Sequence, residues 1–133
     1  MNSLKKVMLV LALRHIRNMI PWKEHGYEIV GEYSNPQKAL DNASRLKPDV
    51  VIADIKMPIM DGLILGRKLL ETNPKLKIIL LTSYKEFDYA KEALKLGVFD
   101  YWVKHEVNAD FLATELARLK REIEAEKGQH ELL

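Results

Sequence analysis

The feature that most limits the possible folds is a fivefold alternation of short apolar runs with segments of helical periodicity. The central run, from Asp49 to Asp54, contains four consecutive apolar residues, which is typical of a strand buried on both faces of a parallel sheet. Strands that alternate with single helices across short loops form parallel sheets with right-handed crossovers. The sequence therefore predicts a doubly wound α/β fold, with five parallel strands in the order 2-1-3-4-5 and helices on both faces.

The boundaries of the predicted elements follow from turn, cap and proline residues. The predicted strands span residues 6–10, 27–33, 49–54, 77–81 and 99–103. The predicted helices span about 13–20, 36–46, 62–71, 86–96 and 109–126, and Gly97 is expected to end the fourth in a left-handed conformation. We expect residues 1–127 to form one domain, and the polar tail 128–133 to fray or to begin a linker toward an output domain outside this chain.

Composition and charge narrow the function classes. The 133 residues are 47% apolar and 30% charged, which is ordinary for one globular domain. A formal net charge of +2 does not indicate a basic surface that would bind nucleic acid. The absence of Cys excludes disulfides, a thiolate nucleophile and cysteine-bound zinc. The longest apolar run, Val7 to Leu13, is far shorter than the roughly 18 residues of a membrane span. We expect a cytoplasmic protein that binds neither nucleic acid nor membranes directly.

Three polar side chains follow the ends of predicted strands. Asp54 follows the third strand, Thr82 the fourth and Lys104 the fifth. Taken alone, each is an ordinary strand-end or turn residue. The carboxyl ends of parallel strands meet at one edge of the sheet, where a hydroxyl and an ammonium can bind the oxygens of a phosphate carried on a carboxylate. The set therefore indicates a site for a transferable phosphoryl group.

Three longer segments carry a family resemblance. DIKMPIMDG, LLTSYKEFDYAKEALKLGVFDYWVK and PWKEHGYEIVGEYSNPQKAL resemble the receiver domain of bacterial two-component response regulators, from about Lys5 to Ile123. The PWKEHGYEIVGE stretch is most similar to the branch with a downstream AraC-type DNA-binding domain. The resemblance implies a phosphoacceptor signalling domain rather than an enzyme, in which Asp54 accepts a phosphoryl group from a sensor histidine kinase. Self-phosphorylation and self-dephosphorylation are the most it would catalyse.

The resemblance also implies roles for neighbouring residues. Mg²⁺ would bind between Asp54, the backbone carbonyl of Lys56 and an acidic pair after the first strand. Thr82 and Lys104 would bind the phosphoryl oxygens, and Tyr101 matches the aromatic residue that swings inward on activation. The output surface, through which many relatives form homodimers, would be the fourth helix, fifth strand and fifth helix. This surface would control a downstream transcription-factor output.

The sequence departs from the family pattern after the first strand. Val10 is followed by Leu11, Ala12, Leu13 and Arg14, so the acidic pair is missing, and the segment up to Pro21 is about four residues short. A natural deletion, an engineered one and residues missing from the recorded sequence would each explain this. If the chain is complete as written, we expect weak or absent Mg²⁺ binding and little or no phosphorylation by acetyl phosphate with Mg²⁺.

Two function classes therefore stay open. The first is a phosphoacceptor switch, and the second is a phosphorylation-independent pseudo-receiver that acts as a docking or dimerisation module. A flavodoxin-like cofactor binder fits less well, because no phosphate-binding loop rich in Gly, Ser or Thr follows the first strand. A smaller departure is His105 after Lys104, where relatives usually carry a proline, so we expect a trans peptide there.

Overall fold

The fold was obtained as a computed structural model, which describes residues 3–12, 15–83 and 86–132. Five parallel strands form one sheet in the order β2-β1-β3-β4-β5, which confirms the predicted fold class. The strands are β1 (Lys5–Val10), β2 (Tyr27–Tyr33), β3 (Val50–Asp54), β4 (Lys77–Thr82) and β5 (Asp100–Val103). The helices are α1 (Ile16–Met19), α2 (Pro36–Leu46), α3 (Gly62–Thr72), α4 (Phe87–Lys95) and α5 (Ala109–Leu132).

The sheet separates two layers of apolar core. Successive strand residues point to opposite faces, so Val51 packs beneath α2, α3 and α4, whereas Ile52 packs beneath α1 and α5. Both side chains have no exposed surface, as expected for a strand without a solvated face. The first layer also contains Met8, Ala39, Leu65, Leu69, Ala90 and Ala93. The second layer also contains Leu9, Ile16, Trp22, Leu112, Leu116 and Leu119.

Two predicted helix ends are confirmed by their hydrogen bonds. The Asn35 side chain accepts from the backbone N–H groups of Gln37 and Lys38 at 2.8 and 3.2 Å, with Pro36 in the first turn of α2. Gly97 follows α4 with φ of 103°, and its N–H donates to Leu94 O at 3.2 Å. A left-handed residue with this bond closes the helix in the way that favours glycine. Every described peptide bond is trans, including the one between Lys104 and His105.

The first helix is shorter than predicted. It covers only Ile16–Met19 instead of about 13–20, and residue 13 lies outside the described part of the chain. The cause is the short connection, because β1 ends at Val10 and a 3₁₀ turn already begins at Trp22. The indole N–H of Trp22 donates to Ile16 O at 3.2 Å and Arg17 O at 3.0 Å, which closes the single remaining turn.

The last helix is longer than predicted. It continues to Leu132 instead of ending at about residue 126, and residue 133 lies outside the described range. A single glycine such as Gly128 costs a helix only about 1 kcal/mol, and the surrounding Ala, Glu, Lys and Gln are good helix formers. A domain boundary after residue 127, with a frayed tail or linker over 128–133, stays a prediction.

Candidate functional site

The ends of β3, β4 and β5 place the predicted site residues side by side. Asp54 is the last residue of β3 and pairs with Leu81 of β4. Thr82 is the last residue of β4 and pairs with Val103 of β5, directly before Lys104. The register therefore brings Asp54, Thr82 and Lys104 to adjoining positions at the carboxyl edge of the sheet.

Asp54 and Lys104 form the central contact of this edge. Lys104 Nζ lies 2.7 Å from Asp54 Oδ2, and the side chains are 32% and 17% exposed, so the pair is accessible but partly desolvated. The other carboxylate oxygen, Oδ1, accepts from the backbone N–H of Lys56 at 3.1 Å. Both oxygens of Asp54 thus have a hydrogen-bond donor, which holds the carboxylate in one orientation at the mouth of the crevice.

Thr82 is fully buried at the same edge. Its hydroxyl is directed to Ser83 O at 3.0 Å and to Glu86 Oε2 at 3.4 Å. The hydroxyl therefore lies one strand away from Asp54 and is engaged with the turn that leads into α4. A hydroxyl in this place can donate to an oxygen of a group bound at Asp54 only after giving up one of these contacts.

Glu86 is a site residue that the sequence prediction missed. Its Oε2 also accepts from the backbone N–H of Ser83 at 3.2 Å, and its Oε1 lies 3.6 Å from Lys56 Nζ. The Glu86 side chain is only 10% exposed. The spacing of Ser83 and Glu86 matches a capping box, and this signal in the sequence could have drawn attention to Glu86.

The loop after β3 is joined to α4 by a second contact. Asp61 caps α3, because its Oδ1 accepts from the N–H of Ile64 at 2.9 Å, and its Oδ2 accepts a hydrogen bond from the Tyr89 hydroxyl. This bond, more than partial burial, raises the pKa of Tyr89 from 10.0 to about 12. The loop between Asp54 and Gly62 is thereby fixed to the helix that follows β4.

Gly62 allows that loop to close tightly. Its N–H donates to Ile55 O at 2.7 Å, and a Cβ at this position would lie 2.6 Å from Asp54 O and 2.9 Å from Ile55 Cα. No side chain fits at such distances without moving the backbone that carries the carboxylate.

Tyr101 lies in β5, three residues before Lys104. It pairs with Leu80 in β5 and is half-buried against the core layer beneath α2, α3 and α4. Its role as a switch residue stays a prediction.

The residues present do not fit the magnesium site that receiver domains typically use. Leu11 and Ala12 occupy the positions of the acidic pair, and the Leu11 N–H donates to Tyr33 O at 2.9 Å. Both oxygens of Asp54 are already engaged by Lys104 and Lys56. Within residues 3–12, 15–83 and 86–132, no three His, Cys, Asp or Glu side chains are grouped so as to hold a metal ion. Of the ligand set that the family resemblance implies, Asp54 and the carbonyl of Lys56 are present among the described residues.

A parallel five-stranded sheet in this order, with a carboxylate, a lysine and a buried hydroxyl at its carboxyl edge, defines a receiver-like α/β domain. The family profile described as response regulator receiver domain matches residues 10–116. The chain therefore belongs to the response regulator receiver domain family, and it is a signalling domain of the two-component type.

Individual relatives agree with this assignment. The chain is 37% identical over 94 residues to the uncharacterized transcriptional regulatory protein YesN of Bacillus subtilis, covering 71% of this chain and 26% of that protein. It is 33% identical over 102 residues to the chemotaxis protein CheY of Thermotoga maritima, covering 75% and 85%. The solved REC domain of AraT, a response regulator from Geobacillus stearothermophilus, superposes with a TM-score of 0.86 at 36% identity, covering 94% and 99%.

Several relatives are much longer than this chain. The chain spans 26% of YesN and 45% of an uncharacterized response regulatory protein of Yersinia pestis to which it is 39% identical over 113 residues, 84% of this chain. Within the part of the chain that the structure describes, no helix is both long and apolar enough to cross a bilayer.

Proposed function

We propose that this chain is a phosphoacceptor switch, in which Asp54 receives a phosphoryl group from a sensor histidine kinase. The observation that carries the proposal is the 2.7 Å contact of Lys104 Nζ with Asp54 Oδ2 at the carboxyl edge of the sheet, beside Thr82. Receiver domains as a family interact with such kinases, and a paired carboxylate at this edge is the group in the crevice best placed to accept the phosphoryl group.

The chemistry assigned to these residues is a single transfer. An oxygen of Asp54 attacks the phosphorus of the kinase phosphohistidine, the new P–O bond forms and the P–N bond breaks. The imidazole nitrogen leaves with the electron pair of that bond and is reprotonated. Lys104 and Thr82 then bind the oxygens of the transferred group, which lowers the cost of placing negative charge on a carboxylate.

The missing acidic pair affects which phosphoryl donors can react with Asp54. Acetyl phosphate approaches with two negative charges, and the described residues offer little that would hold a neutralising metal. A donor with a protonated leaving nitrogen carries its own positive charge, and a kinase also holds the phosphoryl group in place. We therefore assign to this chain the transfer of a phosphoryl group from donors with a P–N bond to Asp54. Acetyl phosphate should modify the chain little or not at all.

The output is assigned to the face formed by α4, β5 and α5. Arg118 of α5 pairs with Asp100 of β5 at 2.6 Å, so these two elements are joined by a polar contact on that face. Tyr101 follows Asp100 in β5, packs on the side of the sheet that α4 covers, and is the proposed switch residue. We assign homodimerisation to this face, and we assign control of an AraC-type transcription factor to a domain outside this chain. The domain would act in the cytoplasm without itself contacting DNA or membrane.

The test is the intact mass of the chain after incubation with phosphoramidate, a small donor with a P–N bond. We expect one phosphoryl adduct on the parent chain. The adduct should be absent in Asp54→Asn and present in Asp49→Asn. Asp49 is the matched control because it precedes the same strand at the opposite edge of the sheet, where it accepts from the Lys6 N–H. An adduct that survives Asp54→Asn would contradict the proposal.

A second candidate is a pseudo-receiver that docks or dimerises without phosphorylation. It is supported by Leu11 and Ala12 in place of the acidic pair, with Leu11 held at a φ of 46°. For this candidate, phosphoramidate leaves the mass unchanged, and Asp54→Asn has no effect on the oligomeric state measured by sedimentation.

A further inference from the structure

We propose that the Glu86 carboxylate occupies the place that an oxygen of a phosphoryl group bound at Asp54 would take. In the resting protein its carboxylate accepts from the Ser83 amide and shares the Thr82 hydroxyl with Ser83 O, and a phosphoryl group at Asp54 must displace it to bind the same donors. The proposal rests on the proposed function, because it names the group that competes with the phosphoryl group.

Three hydrogen-bond donors surround the Glu86 carboxylate. Glu86 Oε2 lies 3.4 Å from Thr82 Oγ1 and 3.2 Å from Ser83 N, and Oε1 lies 3.6 Å from Lys56 Nζ. A hydroxyl and an amide N–H from the adjacent residues Thr82 and Ser83, with the ammonium of Lys56 from the loop after β3, form the kind of donor set that binds an oxyanion. The side chain is 10% exposed, so this carboxylate fills a largely desolvated position.

Glu86 and a phosphoryl group at Asp54 would compete for the same proton and repel each other. Thr82 carries one hydroxyl proton, so it cannot donate at once to Glu86 and to a phosphoryl oxygen. A phosphoryl group beside Asp54 and the Glu86 carboxylate would also be like charges in a partly desolvated crevice. The two groups therefore exclude one another.

Glu86 is placed where its displacement would affect the start of α4. It lies directly before α4, and the next contact between α4 and the loop after β3 is the hydrogen bond from Tyr89 to Asp61. Displacement of Glu86 removes the contact at the start of the helix and leaves the one at Tyr89. The first turn of α4 can then move relative to the site, which links occupancy of the site to the proposed output face.

A capping role alone would also explain the bond from the Ser83 N–H, and Glu86→Gln separates the two roles. The amide oxygen of glutamine can also accept from the Ser83 N–H, so this bond is retained while the charge is removed. Glu92→Gln is the matched control, because Glu92 is exposed on the same helix.

The experiment measures inorganic phosphate binding by amide chemical shifts of Thr82 and Ser83. All chains carry Asp54→Asn, so that no covalent transfer takes part and the result is independent of the proposed function. We expect Glu86→Gln to bind phosphate about tenfold more tightly than the parent chain, and Glu92→Gln to match the parent. Equal affinity in the Glu86→Gln and parent chains, or no binding by the Glu86→Gln chain, would overturn the proposal.

The coupling to α4 has its own readout. Ala90 and Ala93 are fully buried residues on the inner face of this helix, so their methyl resonances report its position on the sheet. Saturating phosphate should shift both resonances in the chain that retains Glu86. Unchanged resonances at saturation would show that the displaced carboxylate does not move the helix, which would overturn this part of the proposal.

Discussion

Lys104 Nζ and Asp54 Oδ2 lie 2.7 Å apart although 50 positions separate the two residues in the chain. The contact exists because β3, β4 and β5 are neighbours and end at the same edge. It brings together the carboxylate that would accept a phosphoryl group and the ammonium that would bind it. The pair is partly exposed, so its importance lies in chemistry more than in folding energy.

Replacing Lys104 should therefore affect transfer more than stability. We expect Lys104→Ala to slow adduct formation from phosphoramidate by at least about tenfold, because developing negative charge loses its nearest cation. The free energy of unfolding should fall by only about 1 kcal/mol, measured by urea denaturation. Lys95→Ala, at an exposed position near the end of α4, is the control and should change neither quantity. Equal transfer rates for the Lys104→Ala and parent chains would contradict this role.

The hydrogen bond from Tyr89 to Asp61 predicts a pH dependence. It raises the pKa of Tyr89 from 10.0 to about 12, so the neutral phenol is favoured in the folded state. The stabilisation is complete below pH 10 and is lost as the pH rises from about 10 to about 12. Near-ultraviolet titration should show a tyrosinate step near pH 12 that disappears in Tyr89→Phe and moves to lower pH in Asp61→Asn, whereas the buried Tyr27, whose pKa is raised further, ionises after it. An unchanged step near pH 12 in Tyr89→Phe would show that the assignment is wrong.

Most of the fold could be predicted because its signals are local. The buried run before Asp54, the cap at Asn35 and the turn at Gly97 each depend on a few adjacent residues, and all three are present. The first helix was predicted too long, because periodicity does not reveal that the short connection from Val10 leaves space for one turn only. The end of α5 was predicted too early, because Gly128 was given more weight than the helix formers around it.

The site was predicted less completely. Asp54 and Lys104 could be paired because strand ends in a parallel sheet converge on one edge. The contacts of Glu86 with Lys56 and of Tyr89 with Asp61 depend on how α4 packs against the loop after β3, and the latter pair is 28 positions apart. The capping-box spacing of Ser83 and Glu86 is the one local signal for the missed carboxylate, and it predicts a helix start without indicating these contacts.

Substitutions at two glycines test how closely Gly62 packs against the backbone of Asp54. Gly62→Ala should lower the free energy of unfolding by about 2 kcal/mol or more, because its Cβ would lie 2.6 Å from Asp54 O. Gly128→Ala is the control in α5, where a Cβ meets nothing within 4 Å, and it should raise stability by up to about 1 kcal/mol. Urea denaturation measures both, and equal effects of the two substitutions would contradict the packing described for Gly62.

A buried hydroxyl links the sheet to α5. Tyr27 is fully buried and donates to Leu116 O at 2.6 Å, and burial raises its pKa above the ordinary value. Tyr27→Phe should lower the free energy of unfolding by about 1 kcal/mol, because the packing is kept and one hydrogen bond is lost. Tyr33→Phe, on the half-buried residue at the end of β2, is the comparison and should cost less. A larger loss for Tyr33→Phe in thermal or urea unfolding would be inconsistent with the role of this bond.

The most direct test of the central claim is to map the phosphoryl group by peptide mass spectrometry. The chain is treated with phosphoramidate and then with borohydride, which reduces an aspartyl phosphate to homoserine. The account predicts homoserine at position 54, and none there without the donor. Homoserine at another aspartate, or none at any position after treatment with the donor, would contradict the assignment of Asp54 as the phosphoacceptor.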